Sequence, residues 1–377
     1  MRKIRPIGLM AIGHACVDVY QGCVPALVPF LVAERGLGYV AVSGITLAAT
    51  LLSSVVQPVF GVLTDRRPLT WLIPVAMTTA GLGIALLGVG DSYWLMWLAA
   101  ALSGLGVAAY HPEAARMARA VSGGSHVGMS WFSVGGNVGF ALAPAMVTPI
   151  IASGGLGWTP VLIVPALFGA VVTRLAIRSA GFVAAGNGQP VVGSDDWPSF
   201  LRLSAIMVCR SIVFVGLGTF IALYAGQRVG GGTTTGGIAL FVLFASSAFG
   251  TLLGGRFATR FGRIRTLRAS YGIAVPALAG LVFVPGPAFF GFLLLTAIAM
   301  AIPFSLHVTL GQDFLPTRVG TAGGMTLGLA VSIGGIGTPI LGTLAEHTSL
   351  HTALSTLIAL PLACALIAYA LKEPVIE

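Results

Sequence analysis

The sequence predicts an all-α polytopic membrane protein, with twelve transmembrane helices in two pseudo-symmetric six-helix bundles. Of its 377 residues, 56% are hydrophobic and only 8% are charged. The mean hydropathy is +0.96, and the apolar residues fall in long runs. A soluble domain carries roughly 25% charged residues, so the composition excludes a soluble globular fold. The run length excludes a β-barrel, because barrel strands alternate over about 10 residues whereas a helical span needs about 20.

The apolar runs define twelve predicted spans. They cover residues 6–33, 40–63, 69–90, 92–115, 126–152, 157–178, 199–225, 236–256, 266–284, 287–310, 320–343 and 350–371. The connections between them are short, so the chemistry is expected inside the membrane. The basic start of the chain is similar to a signal peptide, but the first run is too long and lacks a small-residue cleavage site, which predicts a retained helix.

The positions of the basic residues predict how the chain crosses the membrane. With both termini in the cytoplasm, Arg35 and Arg228 fall outside and Arg210 lies within a span. Every other Lys and Arg falls on the cytoplasmic side, which is the positive-inside pattern. This pattern explains the net charge of +9 without a nucleic-acid partner.

The chain is predicted to consist of two halves joined by a linker. Residues 181–198 contain Gly, Pro, Asp195 and Asp196 and have low hydropathy, which separates bundles at residues 1–180 and 199–377. Residues 61–66, after the second span, share a glycine-to-arginine spacing with residues 255–263, after the eighth. Parallel six-helix repeats are typical of transporters, and since one chain supplies both repeats, a monomer suffices.

These repeated segments resemble the cytoplasmic loop motif of the major facilitator superfamily. Within it, three features are similar to the fosmidomycin resistance family: the His14-x3-Asp18-x6-Pro25-x3-Pro29 spacing, the Tyr-His-Pro-Glu-Ala-Ala-Arg stretch at 110–116, and residues 312–320. The resemblance implies the major facilitator fold and a proton-driven exporter in the cytoplasmic membrane of a bacterium. Its partners would be protons, the lipid bilayer and a small phosphonate-like (for example fosmidomycin) or amphiphilic substrate.

One face of the first span carries polar side chains near the membrane midplane. His14, Asp18, Gln21 and Pro25 fall within a sector of about 60° on a helix. An ionised carboxylate at that depth costs about 2.5–3.5 kcal/mol, so Asp18 either titrates or pairs. We assign Asp18 and His14 to proton coupling and Gln21 to substrate binding. The alternative for Asp18 is a fixed hydrogen bond or salt bridge between helices.

Arg210, at a matching depth in the seventh span, is predicted to anchor an acidic substrate. Its planar guanidinium matches the oxygens of a phosphonate or carboxylate. The alternative is a salt bridge from Asp18 to Arg210.

Five further polar residues are predicted to bind substrate: Tyr110, His111, Glu113, Asn137 and His307. The first three lie at the cytoplasmic end of the fourth span, where they form an inner binding wall or gate. For Asn137 and His307 the alternatives are a helix-to-helix hydrogen bond and ordinary packing.

A cytoplasmic gate is predicted at Asp65, Arg66 and Arg116. Asp65 can contact a helix N-terminus, Arg116 or Arg119 in one conformation and be released in another. The alternatives are a purely topological role for Arg66 and a surface ion pair between Glu113 and Arg116.

The sequence lacks the motifs of an enzyme. It contains no H-E-x-x-H, no metal-ligand spacing, no nucleophile elbow and no phosphate loop. We therefore expect no enzymatic activity, no cofactor and no metal, and an intramembrane enzyme is a remote alternative. A metabolite importer or facilitator on the same fold is the main alternative, because import and export use the same motion.

Overall fold

The computed structural model of the chain describes residues 4–66, 69–123, 126–180 and 194–374. These ranges are helical and contain no strand. In lipid a helix satisfies its own backbone hydrogen bonds, which explains why the apolar runs become helices. Nine helices within the described ranges are long and apolar enough to cross a membrane, and two shorter apolar helices cover Tyr39–Leu52 and Leu72–Leu87. The predicted all-α membrane fold is confirmed.

The chain divides into two compact units, Met1–Asn187 and Gly188–Glu377. The first unit contains α1 (Ile4–Arg35), α2 (Tyr39–Val55), α3 (Gln57–Arg66), α4 (Leu72–Leu87), α5 (Tyr93–Val121), α6 (His126–Gly154), a 3-10 helix (Leu156–Ile163) and α7 (Val164–Ala180). Helix α1 packs against α6, α7 and α5. A Cβ atom at Gly135 or Gly139 of α6 would overlap the backbone of α1, so these glycines allow the two helices to pack closely.

The second unit contains α8 (Trp197–Val229), α9 (Gly232–Phe261), α10 (Arg263–Phe283), α11 (Ala288–Ala301), α12 (Pro303–Phe314), a 3-10 helix (Pro316–Arg318), α13 (Val319–His347), α14 (Leu350–Thr356) and α15 (Ala359–Tyr369). Helix α8 begins inside the predicted linker, where the Asp196 side chain accepts a hydrogen bond from the Ser199 backbone N–H at 3.0 Å. Residues 181–193 of that linker lie outside the described ranges.

Several predicted spans are interrupted. The second divides at Val56 into α2 and α3, the sixth begins as a 3-10 helix, the tenth divides into α11 and α12, and the last divides into α14 and α15. In the tenth span α12 begins at Pro303, which has no N–H to donate to a carbonyl in the preceding turn. This break frees backbone carbonyls at the end of α11.

Candidate functional site

Three titratable side chains meet inside the N-terminal unit. His14 and Asp18 lie one turn apart on α1, and His111 lies on α5. The Asp18 carboxylate is 3.2 Å from Nε2 of each histidine, through Oδ2 to His14 and Oδ1 to His111. The two Nε2 atoms are 3.3 Å apart. We call His14, Asp18 and His111 the triad; the exposed fractions of His14 and Asp18 are 8% and 5%.

The backbone fixes where the histidine protons lie. His14 Nδ1 is 2.7 Å from the Phe132 carbonyl oxygen, and His111 Nδ1 is 2.8 Å from the Val107 carbonyl oxygen. A carbonyl only accepts, so each Nδ1 carries a hydrogen and donates it. In neutral histidines both Nε2 lone pairs would then face each other and the carboxylate. At least one additional proton must therefore be shared among the three groups.

Neighbouring residues constrain the triad. The Gln21 amide donates to Asp18 Oδ1 at 2.9 Å, so this predicted substrate residue contacts the carboxylate. A Cβ atom at Gly136 of α6 would lie 2.5 Å from Asp18 Oδ2, so only glycine leaves room there. Tyr110 is buried beside His14, with ring centroids 6.3 Å apart, and its hydroxyl has no hydrogen-bond partner among the described residues.

Glu113 and Arg116 form an ion pair with each other. Arg116 Nε donates to Glu113 Oε2 at 2.9 Å, and its Nη2 contacts Oε1. The ion pair is the alternative to the predicted roles of Glu113 in substrate binding and of Arg116 in gating. Glu113 is fully buried, so its carboxylate lies inside the protein and not at the surface. The packing of α5 against neighbouring helices, which local spacing does not reveal, buries it.

Arg210 lies on α8 in the C-terminal unit, with 5% of its surface exposed. Its Nε donates to the Met300 carbonyl oxygen at 2.8 Å, at the end of α11. Its Cζ atom lies 5.1 Å from the Phe304 ring centroid and 5.6 Å from that of Phe214. No carboxylate among the described residues of this unit forms an ion pair with it.

His307 is buried on α12, and its Nε2 lies 3.2 Å from the Tyr271 hydroxyl. Its Nδ1 has no hydrogen-bond partner within the part of the chain that is described. Packing of His307, the alternative for this residue, thus leaves one ring nitrogen unsatisfied.

The remaining predicted residues lie apart from these contacts. Asn137 follows Gly136 on α6 and is half-buried. Asp65 and Arg66 lie at the end of α3, and their side chains are outside the described part of the structure. The gate contact predicted for them is outside it too. Asp18 and Arg210 belong to different units, and each contacts partners in its own.

The sequence did not point to Gly136 or Tyr271. Gly136 belongs to a Ser-Val-Gly-Gly-Asn segment that residues 332–336 match in part, as Ser-Ile-Gly-Gly-Ile, and this partial repeat is a detectable signal. Tyr271 carries no local signal, because its role depends on α10 packing beside α12.

The triad also contains the donor types of a divalent-metal site, with ligand atoms within 4.8 Å of one another. The separations of 3.2–3.3 Å between these atoms are also close to hydrogen-bond lengths, so the same geometry fits shared protons.

Long apolar helices that bury titratable groups define a polytopic membrane protein. The sequence profile of the Major Facilitator Superfamily matches residues 10–339, and the chain belongs to this superfamily. Proteins with this fold are transporters, so the chain is a transporter and not an enzyme.

Two relatives cover nearly the whole chain. The Fosmidomycin resistance protein of Escherichia coli (strain K12) is 31% identical over 371 residues, which are 94% of this chain and 90% of the relative. The uncharacterized MFS-type transporter YfnC of Bacillus subtilis (strain 168) is 28% identical over 365 residues, with 94% and 89% covered. The predicted resemblance to the fosmidomycin resistance family is confirmed.

A solved structure shows the same fold. A bacterial homologue of the human lysosomal transporter Spinster, in an inward-facing and occupied conformation, matches with a TM-score of 0.80. It is 16% identical and the match covers 97% of this chain and 95% of that one. At this identity the likeness shows the fold alone.

Proposed function

We propose that the protein exports a small anionic, phosphonate-like or amphiphilic molecule across the cytoplasmic membrane of a bacterium in exchange for protons, as a monomer and by alternating access. The observation that carries this proposal is the triad, in which a carboxylate and two histidines from two membrane-length helices meet inside the N-terminal unit. The Escherichia coli relative is named for resistance to fosmidomycin, and outward transport is the direction that lowers the concentration of a drug in a cell.

The triad can exchange a proton without moving far. One shared proton balances the single negative charge of Asp18, since both histidines are otherwise neutral. Release of that proton to the cytoplasm leaves a buried net charge of −1, which is costly in a membrane span. A new proton from the outside restores neutrality. The triad without the shared proton and the triad with it therefore favour different access states.

The membrane potential is large enough to drive this export. A membrane potential of about 150 mV is worth ~3.5 kcal/mol per charge. At 1.4 kcal/mol per factor of ten, this sustains a concentration gradient of several hundredfold.

The test is proton flux in liposomes that contain the purified protein and a pH-sensitive dye. We expect fosmidomycin to trigger proton movement with the wild type. Asp18→Asn should abolish this movement, because the asparagine amide neither gains nor loses a proton near neutral pH. Asp91→Asn is the matched control. Its carboxylate is exposed and paired with Arg35 at 2.9 Å, so coupling should be unchanged.

Substrate movement by the wild type without proton movement would show a facilitator. Proton movement in the same direction as the substrate would show an importer-type symporter. Either result contradicts the proposed antiport, while wild-type coupling that persists in Asp18→Asn contradicts the assignment of the proton site.

A further inference from the structure

We propose that Arg210 and His307 together bind the acidic group of the substrate, a phosphonate or a carboxylate, in the C-terminal unit. This inference rests on the proposed transport of a small anionic molecule and identifies the atoms that recognise it. Four observations support it: the burial of Arg210, the partners of its guanidinium, the unsatisfied nitrogen of His307, and the break between α11 and α12 in the tenth span.

The guanidinium of Arg210 is held at one edge. The Met300 carbonyl lies just before the break at Pro303, and Arg210 Nε donates to it at 2.8 Å. The Phe214 and Phe304 rings contribute cation–π contacts at 5.6 and 5.1 Å. These contacts fix the plane of the guanidinium, while Nη1 and Nη2 have no hydrogen-bond partner among the described residues.

A buried cation needs an anion. Removing a charge from water is unfavourable unless the charge is paired and hydrogen-bonded. No carboxylate in the described part of the C-terminal unit pairs with Arg210, and carbonyl and ring contacts supply only partial charge. The two free Nη atoms form the fork that matches two oxygens of a phosphonate or carboxylate.

His307 supplies a second donor. Its Nε2 lies 3.2 Å from the Tyr271 hydroxyl. We assign the hydroxyl as the donor of this hydrogen bond, and this assignment places the ring hydrogen on Nδ1. Nδ1 is buried and has no partner among those residues. His307 follows Phe304 by three residues on α12, and residues at this spacing lie on the same side of a helix. The Phe304 ring contacts Arg210, so His307 lies on the same side of α12 as that contact.

This set of groups selects a particular ligand chemistry. One permanent positive charge and one neutral N–H recognise an oxyanion with at least two terminal oxygens. The flanking phenylalanine rings favour an apolar body next to that group. A neutral amide of the same shape loses the charge-assisted hydrogen bonds and should bind poorly.

The test is isothermal titration calorimetry on the purified full-length protein in detergent, at one pH and without a gradient. The probes are fosmidomycin, benzoate and the neutral benzamide. We expect both acids to bind and benzamide to show no measurable binding. A phosphonate-only or carboxylate-only result identifies the acid class, whereas no binding of either acid, or equal binding of benzamide, overturns the proposal.

Variants then locate the site. Arg210→Gln and His307→Leu should each weaken acid binding by about tenfold or more, the usual effect of losing a hydrogen bond to a charged group. Arg210→Lys keeps the charge without the fork, and His307→Asn keeps a donor near Nδ1. We expect both conservative variants to bind more tightly than Gln or Leu at the same position, which distinguishes binding from loss of folding.

The chain offers a matched control in the same unit. His351 Nδ1 lies 2.9 Å from the Tyr224 hydroxyl, and Arg228 lies over the Tyr224 ring. His351→Leu removes an equivalent Tyr–His contact, and acid binding should stay within about threefold of the wild type. An equal loss in His351→Leu and His307→Leu overturns the assignment. Since no proton gradient is present, failure of antiport leaves this result intact.

Discussion

The Nε2 atom of His111 on α5 lies 3.2 Å from the Oδ1 atom of Asp18 on α1. In the proposed antiport, this contact extends the proton site beyond the first helix, because the carboxylate faces a histidine on each of two helices. On that proposal, a motion of α5 relative to α1 would change how many protons the cluster holds. Proton binding and conformation would then be linked through this contact.

Replacement of His111 should uncouple proton movement as strongly as replacement of Asp18. His111→Asn removes the Nε2 atom that faces the carboxylate, and we expect at least a tenfold loss of substrate-triggered proton flux in liposomes. His347→Asn, at an exposed position, is the control and should retain the wild-type flux. Wild-type coupling in His111→Asn would limit the proton site to α1.

A methyl group at Gly136 should disturb the triad without a change of charge. In Gly136→Ala the added Cβ meets Asp18 Oδ2 at 2.5 Å and His14 Nε2 at 2.9 Å, so these groups must separate. We expect a loss of proton flux that exceeds any loss of thermal stability in detergent.

Gly8→Ala is the matched control for this substitution. Gly8 also lies on a helix of the N-terminal unit, where an added Cβ has no neighbour within 4 Å. Alanine in a helix interior is favoured over glycine by about 1 kcal/mol, so this variant should be as stable as the wild type or more so, with normal flux. Equal flux in both variants would show that Gly136 does not constrain the triad.

The buried ion pair of Glu113 and Arg116 should be needed for stability. Arg116→Met leaves a fully buried carboxylate without its arginine, which typically costs about 3–5 kcal/mol. We expect a clear fall in the melting temperature of the purified protein. The double variant Glu113→Gln with Arg116→Met removes the unpaired charge and should recover most of that loss. A double variant no more stable than the single one argues against an electrostatic cause.

The predicted orientation of the chain has a direct test. The 29 residues of α5 extend about 43 Å, enough to place its ends on opposite sides of a membrane. In intact cells a membrane-impermeant maleimide should label Asp91→Cys, whereas Ser122→Cys should react only after permeabilisation. The four native cysteines are buried or half-buried, and the wild type measures their background. The reverse labelling pattern would place the N-terminus outside.

The sequence by itself determined the class of protein and the location of its spans. Hydrophobic run length is a local property, so it predicted twelve helical segments, and the motif at residues 110–116 identified the family. The proximity of His14 and Asp18 was also predictable, because residues four apart lie on one face of a helix.

Only the tertiary structure decided which distant polar groups meet. His111 joins Asp18 because α5 packs against α1, Glu113 is buried because other helices cover it, and Tyr271 reaches His307 from another helix. No local spacing encodes these contacts, since each depends on how two helices pack. The same holds for the break before Pro303: that Arg210 donates to the neighbouring Met300 carbonyl depends on α8 packing beside the tenth span.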